Sequence, residues 1–419
     1  MLATREKKRG AGRVLFLTLA FALMATLPAS ASSGAFHDFI EALWLEAKEP
    51  PYSVSRTTFE RATRGLTPQL DLPDLVIPGR APTTGRQAEF SRPPSAYLDG
   101  VQLDRLATQG RRLLRTHTDA LDRIERDIGV EADVVLAIWG RETAYGTYRL
   151  PHNALRVLAT QAWVGRRKDM FRREFLFALK MVDDGFVKPG EMRSSWAGAM
   201  GLTQFLPSEF YLHLKGFGES RPDLFNSPAD ALASAAMQLK NKGWVTGLRW
   251  GWEATLGGRA TCALEGPHQE RKISNWVDMG VRRADGRPFS SQERELVAYL
   301  MSPAGAYGPS FLVTENYKVI RRYNTSDLYA TFVGSLADRI LGGRGFRGQW
   351  GSVTQMRESD ILAIQKELAG RGHPISVLDG KIGSNTRANI GAYQVGRGIT
   401  VDCWPTAALL RELTSTRTP

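Results

Sequence analysis

The 419-residue sequence has few cysteines and few histidines: Cys262 and Cys403, and six His. Two cysteines exclude a disulfide framework and a four-cysteine zinc site. The histidines are scattered without metal-ligand spacing, so no metal and no cofactor is expected. The cysteines fall in different proposed domains. Two separate buried thiols are the expected use, although an oxidising compartment would let them pair. Acidic residues are also short, with 43 Asp and Glu against 55 Lys and Arg, a net charge of +12. No stretch beyond residue 27 is apolar enough for a bilayer, which needs about 20 residues. Biased tracts are absent. A composition of 42% hydrophobic and 23% charged residues is globular. The length suits two or three domains.

The first residues differ from the rest. Arg5, Lys7, Lys8, Arg9 and Arg13 face only Glu6, then comes the apolar run Val14–Leu27, then Pro28-Ala29-Ser30-Ala31. A basic start, a short greasy middle and small residues at the end form the layout of a secretory signal peptide over residues 1–31, cut after Ala31. The run is short for an uncleaved anchor. No cysteine follows it, which argues against a lipoprotein. Without this leader the charge is +8. A moderately basic body suits a polyanion, and nucleic acid and cell wall both qualify.

Residues 32–341 read as mostly helical. Phe39, Ile40, Leu43 and Trp44 keep near-helical spacing in 37–47. Residues 66–95 are rich in Pro and Gly and read as an irregular connection. Leu103, Leu106, Leu113, Leu114, Leu121, Ile124 and Ile128 form one helical stripe over 101–128. Val134–Trp139 is apolar on nearly every side, which predicts a central helix. Further helices are expected over 171–182, 229–242 and 328–340. Between Gly247 and Pro309 the pattern breaks into small strands and turns. Gly342-Gly343-Arg344-Gly345, Gly348 and Gly351 predict a flexible linker over 342–357. Residues 358–414 read as a small three-helix unit.

Three strings carry chemistry. In Trp139-Gly140-Arg141-Glu142-Thr143-Ala144-Tyr145-Gly146, a carboxylate ends an apolar helix. Partial desolvation there raises a carboxyl pKa, which suits a general acid. In Ser195-Trp196-Ala197-Gly198-Ala199-Met200-Gly201-Leu202-Thr203-Gln204-Phe205-Leu206-Pro207, small residues let backbone approach a ligand. Ser195 and Gln204 offer hydrogen bonds to hydroxyl and acetamido groups. The alternative is a tight contact between helices. In Tyr323-Asn324-Thr325-Ser326-Asp327-Leu328-Tyr329, Asn324 precedes a helix capped near Ser326, with Tyr329 in its first turn. Trp244, Trp250, Trp252 and Trp276 fit core packing better than sugar stacking.

Together these strings resemble the Glu-Ser/Thr-x-x-Gly, Gly-x-x-Gln and Tyr-Asn motifs of lytic transglycosylases, in particular the membrane-bound lytic murein transglycosylase B family. The resemblance covers most of residues 35–341. It implies a mainly helical, goose-lysozyme-like catalytic domain with a small irregular or β insertion. It implies Glu142 as the sole catalytic acid/base, and substrate contacts at Ser195, Gln204, Asn324 and Tyr329, with Tyr145 a further cleft residue. The reaction implied is non-hydrolytic cleavage of the MurNAc-GlcNAc bond of peptidoglycan to 1,6-anhydroMurNAc ends, a carbon-oxygen lyase reaction. Water-dependent muramidase action and a non-catalytic wall-binding scaffold remain alternatives. The only acidic residues in 211–226 are Glu219 and Asp223, and the segment lacks a calcium-loop pattern, so calcium is not carried over. The tail resembles a three-helix peptidoglycan-binding module through Ile364-Gln365, Asp379-Gly380-Lys381-Ile382-Gly383, Thr386, Ala388 and Tyr393-Gln394. It departs from that pattern at Asp402-Cys403, where Asp-Gly is usual. The partners implied are peptidoglycan strands and other wall enzymes, not nucleic acid. A monomer in a Gram-negative periplasm is expected.

Overall fold

The computed structural model describes residues 29–80, 92–218 and 221–415. The expected leader lies outside these residues, apart from its last three, which open the Ala29–Ala42 helix. Among the described residues no helix is long and apolar enough to cross a membrane.

Two helical lobes form the body, and the site lies between them. The first is built around the Ala132–Thr143 helix, whose residues Val134 to Gly140 are all buried. An element buried on every side needs apolar residues on every side, as the sequence showed. Each fully buried Val, Leu or Ile here contributes about 1.5–3 kcal/mol of transfer free energy. Around it pack Gly100–Thr116, Thr118–Ile128, Pro228–Asn241 and Asp327–Ile340. The stripe over 101–128 predicted one helix, but the chain makes two. They break at His117, whose backbone (φ −112°, ψ 25°) leaves the helical region.

The second lobe packs the N-terminal helices against Ala154–Val164, Lys168–Asp183 and Pro207–His213. Periodicity does not announce the Ala154–Val164 helix, because its buried residues run from Ala154 to Ala162 with one exception and leave no polar stripe. Leu202 and Tyr323 pack against both cores and join the lobes.

The region between 247 and 313 forms a five-stranded antiparallel sheet, in the order Arg271–Lys272, Val297–Met301, Ser310–Val313, Gly251–Thr255, Arg282–Arg283. Alternation sorts its side chains. Tyr299, Met301, Phe311 and Val313 face the first lobe. Trp252, Ala298, Leu300 and Leu312 face a separate core with Ile273 and Trp276. Trp244, Trp250, Trp252 and Trp276 are all buried, as core packing requires.

The C-terminal unit has the three helices expected: Glu358–Gly370, Ser384–Arg397 and Ala407–Ser415. Two expectations about its attachment fail. The segment 342–357 is no flexible linker. Phe346 and Trp350 pack against the first lobe. Glu253 accepts the backbone N–H groups of Arg347 and Gly348, and Tyr307 accepts that of Gly351. Glycine content marked exposure and tight turns rather than freedom.

The two cysteines are not separate thiols. Cys262 and Cys403 form a disulfide across 141 positions of sequence, tying the sheet region to the unit. Gln394 explains the departure at Asp402-Cys403. Its Oε1 accepts the N–H groups of Asp402 and Cys403, as Gln365 Oε1 accepts those of Asp379 and Gly380. Gly380 and Cys403 both hold positive φ, 72° and 57°. Cysteine at such a position costs about 1 kcal/mol or more where glycine would cost little. The disulfide is what that position yields in return. Gly391 lets the interface close, since a Cβ there would lie 2.6 Å from Cys403 Sγ and 2.8 Å from Ala263 Cα.

Candidate active site

The Ala132–Thr143 helix ends at the lobe junction. Ala144, Tyr145 and Gly146 all take left-handed backbone (φ 47°, 59° and 79°), so the chain turns back at once. Two non-glycine residues in that region store strain, a feature concentrated at functional sites. Tyr145 folds beneath the helix, with its hydroxyl donating to the Leu106 carbonyl at 3.0 Å. Gly140 makes this fit, because a Cβ there would lie 2.6 Å from the Tyr145 ring. Tyr145 is therefore a buried support and not the cleft residue expected from the motif.

Glu142, in the last turn, is left half-buried. It borders a cavity of about 340 Å³ lined also by Gln102, Arg105, Leu106, Gly140, Arg141, Ala144, Tyr148, Asn324 and Tyr329. Among these residues Glu142 is the one carboxylic acid. The Tyr329 hydroxyl donates to Glu142 Oε1 at 2.5 Å. Burial first, and then the Glu142 charge, pushes the Tyr329 hydroxyl well above its ordinary range, so it stays a donor. Tyr329 stacks on Tyr323, with centroids 6.4 Å apart and planes 10° apart. The Tyr323 hydroxyl donates to the Thr203 carbonyl at 2.6 Å. Arg141 packs its guanidinium over Tyr97 and Phe332.

The Ser195–Pro207 segment forms a wall beside the site. Thr143 donates to the Leu202 carbonyl at 2.7 Å. Ser195 Oγ accepts the Ala199 N–H at 3.2 Å, and Gln204 Nε2 donates to the Gly201 carbonyl at 3.1 Å. Gly198 and Gly201 have positive φ, and added Cβ atoms would collide with Leu158 and the Leu224 carbonyl. The small residues thus seat this wall against its neighbours. Ser195 and Gln204 are partly exposed on it and do not line the cavity.

The structure therefore brings Glu142, Asn324 and Tyr329 together, places Ser195 and Gln204 alongside, and removes Tyr145 to the core. Four polar cavity residues were missed: Gln102, Arg105, Arg141 and Tyr148. Arg141 stood inside the catalytic string and was open to notice. Gln102 and Arg105 lie on a distant helix, where nothing local marks them.

The sequence profile described as the transglycosylase SLT domain matches residues 35–338. The chain belongs to that lytic transglycosylase family. SltB3 from Pseudomonas aeruginosa, solved in complex with NAG-NAM-pentapeptide, is 35% identical and superposes with a TM-score of 0.80 over 90% of this chain and 99% of that one. The same transglycosylase in complex with NAG-anhNAM-pentapeptide gives a TM-score of 0.78. The membrane-bound lytic murein transglycosylase B of Escherichia coli (strain K12) is 29% identical over 226 residues, 54% of this chain and 61% of that protein. The alignment thus spans less than two thirds of that relative. The mainly helical, lysozyme-like transglycosylase fold with its small β insertion is as expected from the motifs.

Proposed function

We propose that this chain is a lytic murein transglycosylase that cleaves the MurNAc-GlcNAc bond of peptidoglycan with Glu142 as its single acid/base. The observation that carries the reading is a cavity with one carboxyl among its lining residues. Retaining and inverting glycosidases use a pair of carboxyls, one of them a nucleophile or a base for water. With Glu142 alone, the group that donates a proton must also take one back.

Glu142 first protonates the glycosidic oxygen, and the C1–O bond breaks. Positive charge grows on the MurNAc ring and is stabilised by fixed dipoles around it and by the substrate's acetamido group. Ionised Glu142 then accepts the proton of the same sugar's C6 hydroxyl, whose oxygen closes on C1. The product is a 1,6-anhydro end, no water is consumed, and Glu142 regains its proton. The attack is intramolecular and gains from high effective concentration.

Tyr329 has a defined part in this cycle. A hydroxyl donating to Oε1 favours the ionised carboxylate, which forms at mid-reaction. Asn324 offers an amide to substrate hydroxyl and acetamido groups. Ser195 and Gln204 contact sugars that run past the cavity along the adjoining wall. The P. aeruginosa complexes, with their NAG-NAM and NAG-anhNAM peptides, support this substrate and this product. The C-terminal unit serves as a wall-binding module, held rigidly to the catalytic body. The enzyme acts in the cell envelope, on the periplasmic side.

Glu142→Gln tests the reading. It is expected to abolish release of anhydro-muropeptides while leaving co-sedimentation with purified wall intact. An unaffected cutting rate would remove Glu142 from its role.

A further inference from the structure

Away from the cavity, a cluster of charge is buried at the joint between the C-terminal unit and the body. Arg387, on the Ser384–Arg397 helix, is 2% exposed. Its Nε and one terminal nitrogen donate to the two oxygens of Glu265, at 2.8 and 3.1 Å. The same terminal nitrogen reaches Asp327 Oδ2 at 3.4 Å, and its other nitrogen donates to the Ile382 carbonyl at 3.0 Å. Asp327 Oδ2 also accepts the Ser384 N–H at 3.1 Å, while Arg321 Nε lies 2.9 Å from Oδ1. Glu265 further accepts the Ser302 N–H at 3.0 Å.

A cluster of this kind is weak evidence for stability, since desolvating the charges costs as much as their attraction returns. Its better-attested use is to specify one arrangement. Here the thing specified has a direct line to the cavity. Asp327 opens the Asp327–Ile340 helix, two residues before Tyr329. Ser326 caps that helix by accepting the Tyr329 N–H at 3.2 Å, and the Ser326 N–H is bonded to the Asn324 carbonyl at 2.7 Å. Asn324, Ser326, Asp327 and Tyr329 are thus one short rigid piece. One end is held by the C-terminal unit and the other carries two groups of the candidate site.

We infer that Arg387 is a positioning residue: by gripping Asp327 it fixes the helix start that aims Tyr329 at Glu142. The C-terminal unit then serves the chemistry as well as the wall. The inference rests on the proposed reaction. Arg387 is not among the residues lining the Glu142 cavity, so it acts on the reaction through others.

The test uses the full chain with its disulfide intact and measures release of anhydro-muropeptides from soluble glycan strands. Arg387→Met combined with Glu265→Gln removes the grip without leaving Glu265 as an orphan charge, and Asp327 keeps Arg321. Displacing an aligned group by even 1 Å costs up to about a hundredfold, so kcat is expected to fall by about tenfold to a hundredfold with KM within about twofold. In a Tyr329→Phe background the same pair of changes is expected to cost less than about twofold, because coupled residues are non-additive. Losses that simply add, or a raised KM with unchanged kcat, would overturn the inference. Should the pair fail to fold, Arg387→Lys keeps a cation but not the two-pronged grip. A smaller kcat loss that vanishes with Tyr329→Phe supports the positioning, and an additive loss or none overturns it. If the wild-type chain released no anhydro ends, the reaction itself would be wrong, whatever Arg387 does.

Discussion

Two sets of carboxylates, far apart in sequence, do opposite things. Glu142 is half-buried at a cavity and is met by a tyrosine hydroxyl. Glu265 and Asp327 are buried at a joint and are met by guanidinium groups. A guanidinium that cannot lose its proton holds a carboxylate in one place and in one role. A tyrosine hydroxyl steadies the anion without adding a net charge, so the carboxyl can still give and take a proton. The same chemical group is a joint in one setting and, in the proposed reaction, a catalyst in the other, and the difference lies in its partner.

The largest test of that contrast is at the cavity. Glu142→Gln removes general acid/base chemistry worth about 10²–10⁴-fold, and a loss of that order is expected in anhydro-product release. A residual rate within about threefold of wild type would break the comparison. Tyr329→Phe removes one hydrogen bond to a charged group, worth about 1.5–3 kcal/mol, and should lower kcat by about tenfold to a hundredfold. If only KM moved, the tyrosine would be a sugar contact and not a partner of Glu142.

The joint should respond in stability. In the chain-entropy picture a loop of this length adds about 2–5 kcal/mol. Cys262→Ser with Cys403→Ser is expected to lower the melting temperature by that measure. It should also split calorimetric unfolding into two steps, because the C-terminal core is a small cluster of six buried apolar side chains. A single unchanged transition would show that the disulfide adds little to the buried ion cluster.

How far the sequence carried the reader depends on distance along the chain. Glu142 was legible because its cause is local: an apolar helix followed by small and turn-forming residues. Tyr329 and Asn324 were legible because Ser326 caps a helix three residues before Tyr329. Tyr145 was misplaced because a motif gives proximity and not direction, and its direction depends on Gly140 having no Cβ. The Cys262–Cys403 pairing was open in the sequence but not the expected use, and the Glu265–Arg387–Asp327 cluster was invisible. Each joins residues scores of positions apart, and no periodicity encodes such a meeting. The glycines of 342–357 misled for a related reason. They permit tight turns, and whether the turns are free or pinned depends on Glu253 and Tyr307 elsewhere.

The smallest effect sharpens the comparison from a third side. Asp133 stands at the other end of the Glu142 helix, where burial and not a guanidinium governs its carboxyl. Desolvation pushes it up to about 7, with Asp338, Glu131 and Glu125 adding to the rise. The folded chain therefore holds this proton more tightly than the unfolded chain does. The stability this provides is present below about pH 4 and lost as pH rises through about 7. Asp133→Asn should leave stability unchanged at pH 4 and raise it by about 1 kcal/mol at pH 8, a modest figure because the group is partly solvated. Denaturant titration at the two pH values reads this directly, and an equal effect at both would show that proton binding is not the cause.

The central claim is that one carboxyl both gives and takes the proton, with the sugar's own hydroxyl as nucleophile. Mass spectrometry of muropeptides released from purified peptidoglycan tests it most directly. The account predicts ends lighter by one water than their hydrolytic counterparts, from the wild-type chain and not from Glu142→Gln. Reducing ends that take up the oxygen of labelled solvent water would contradict it.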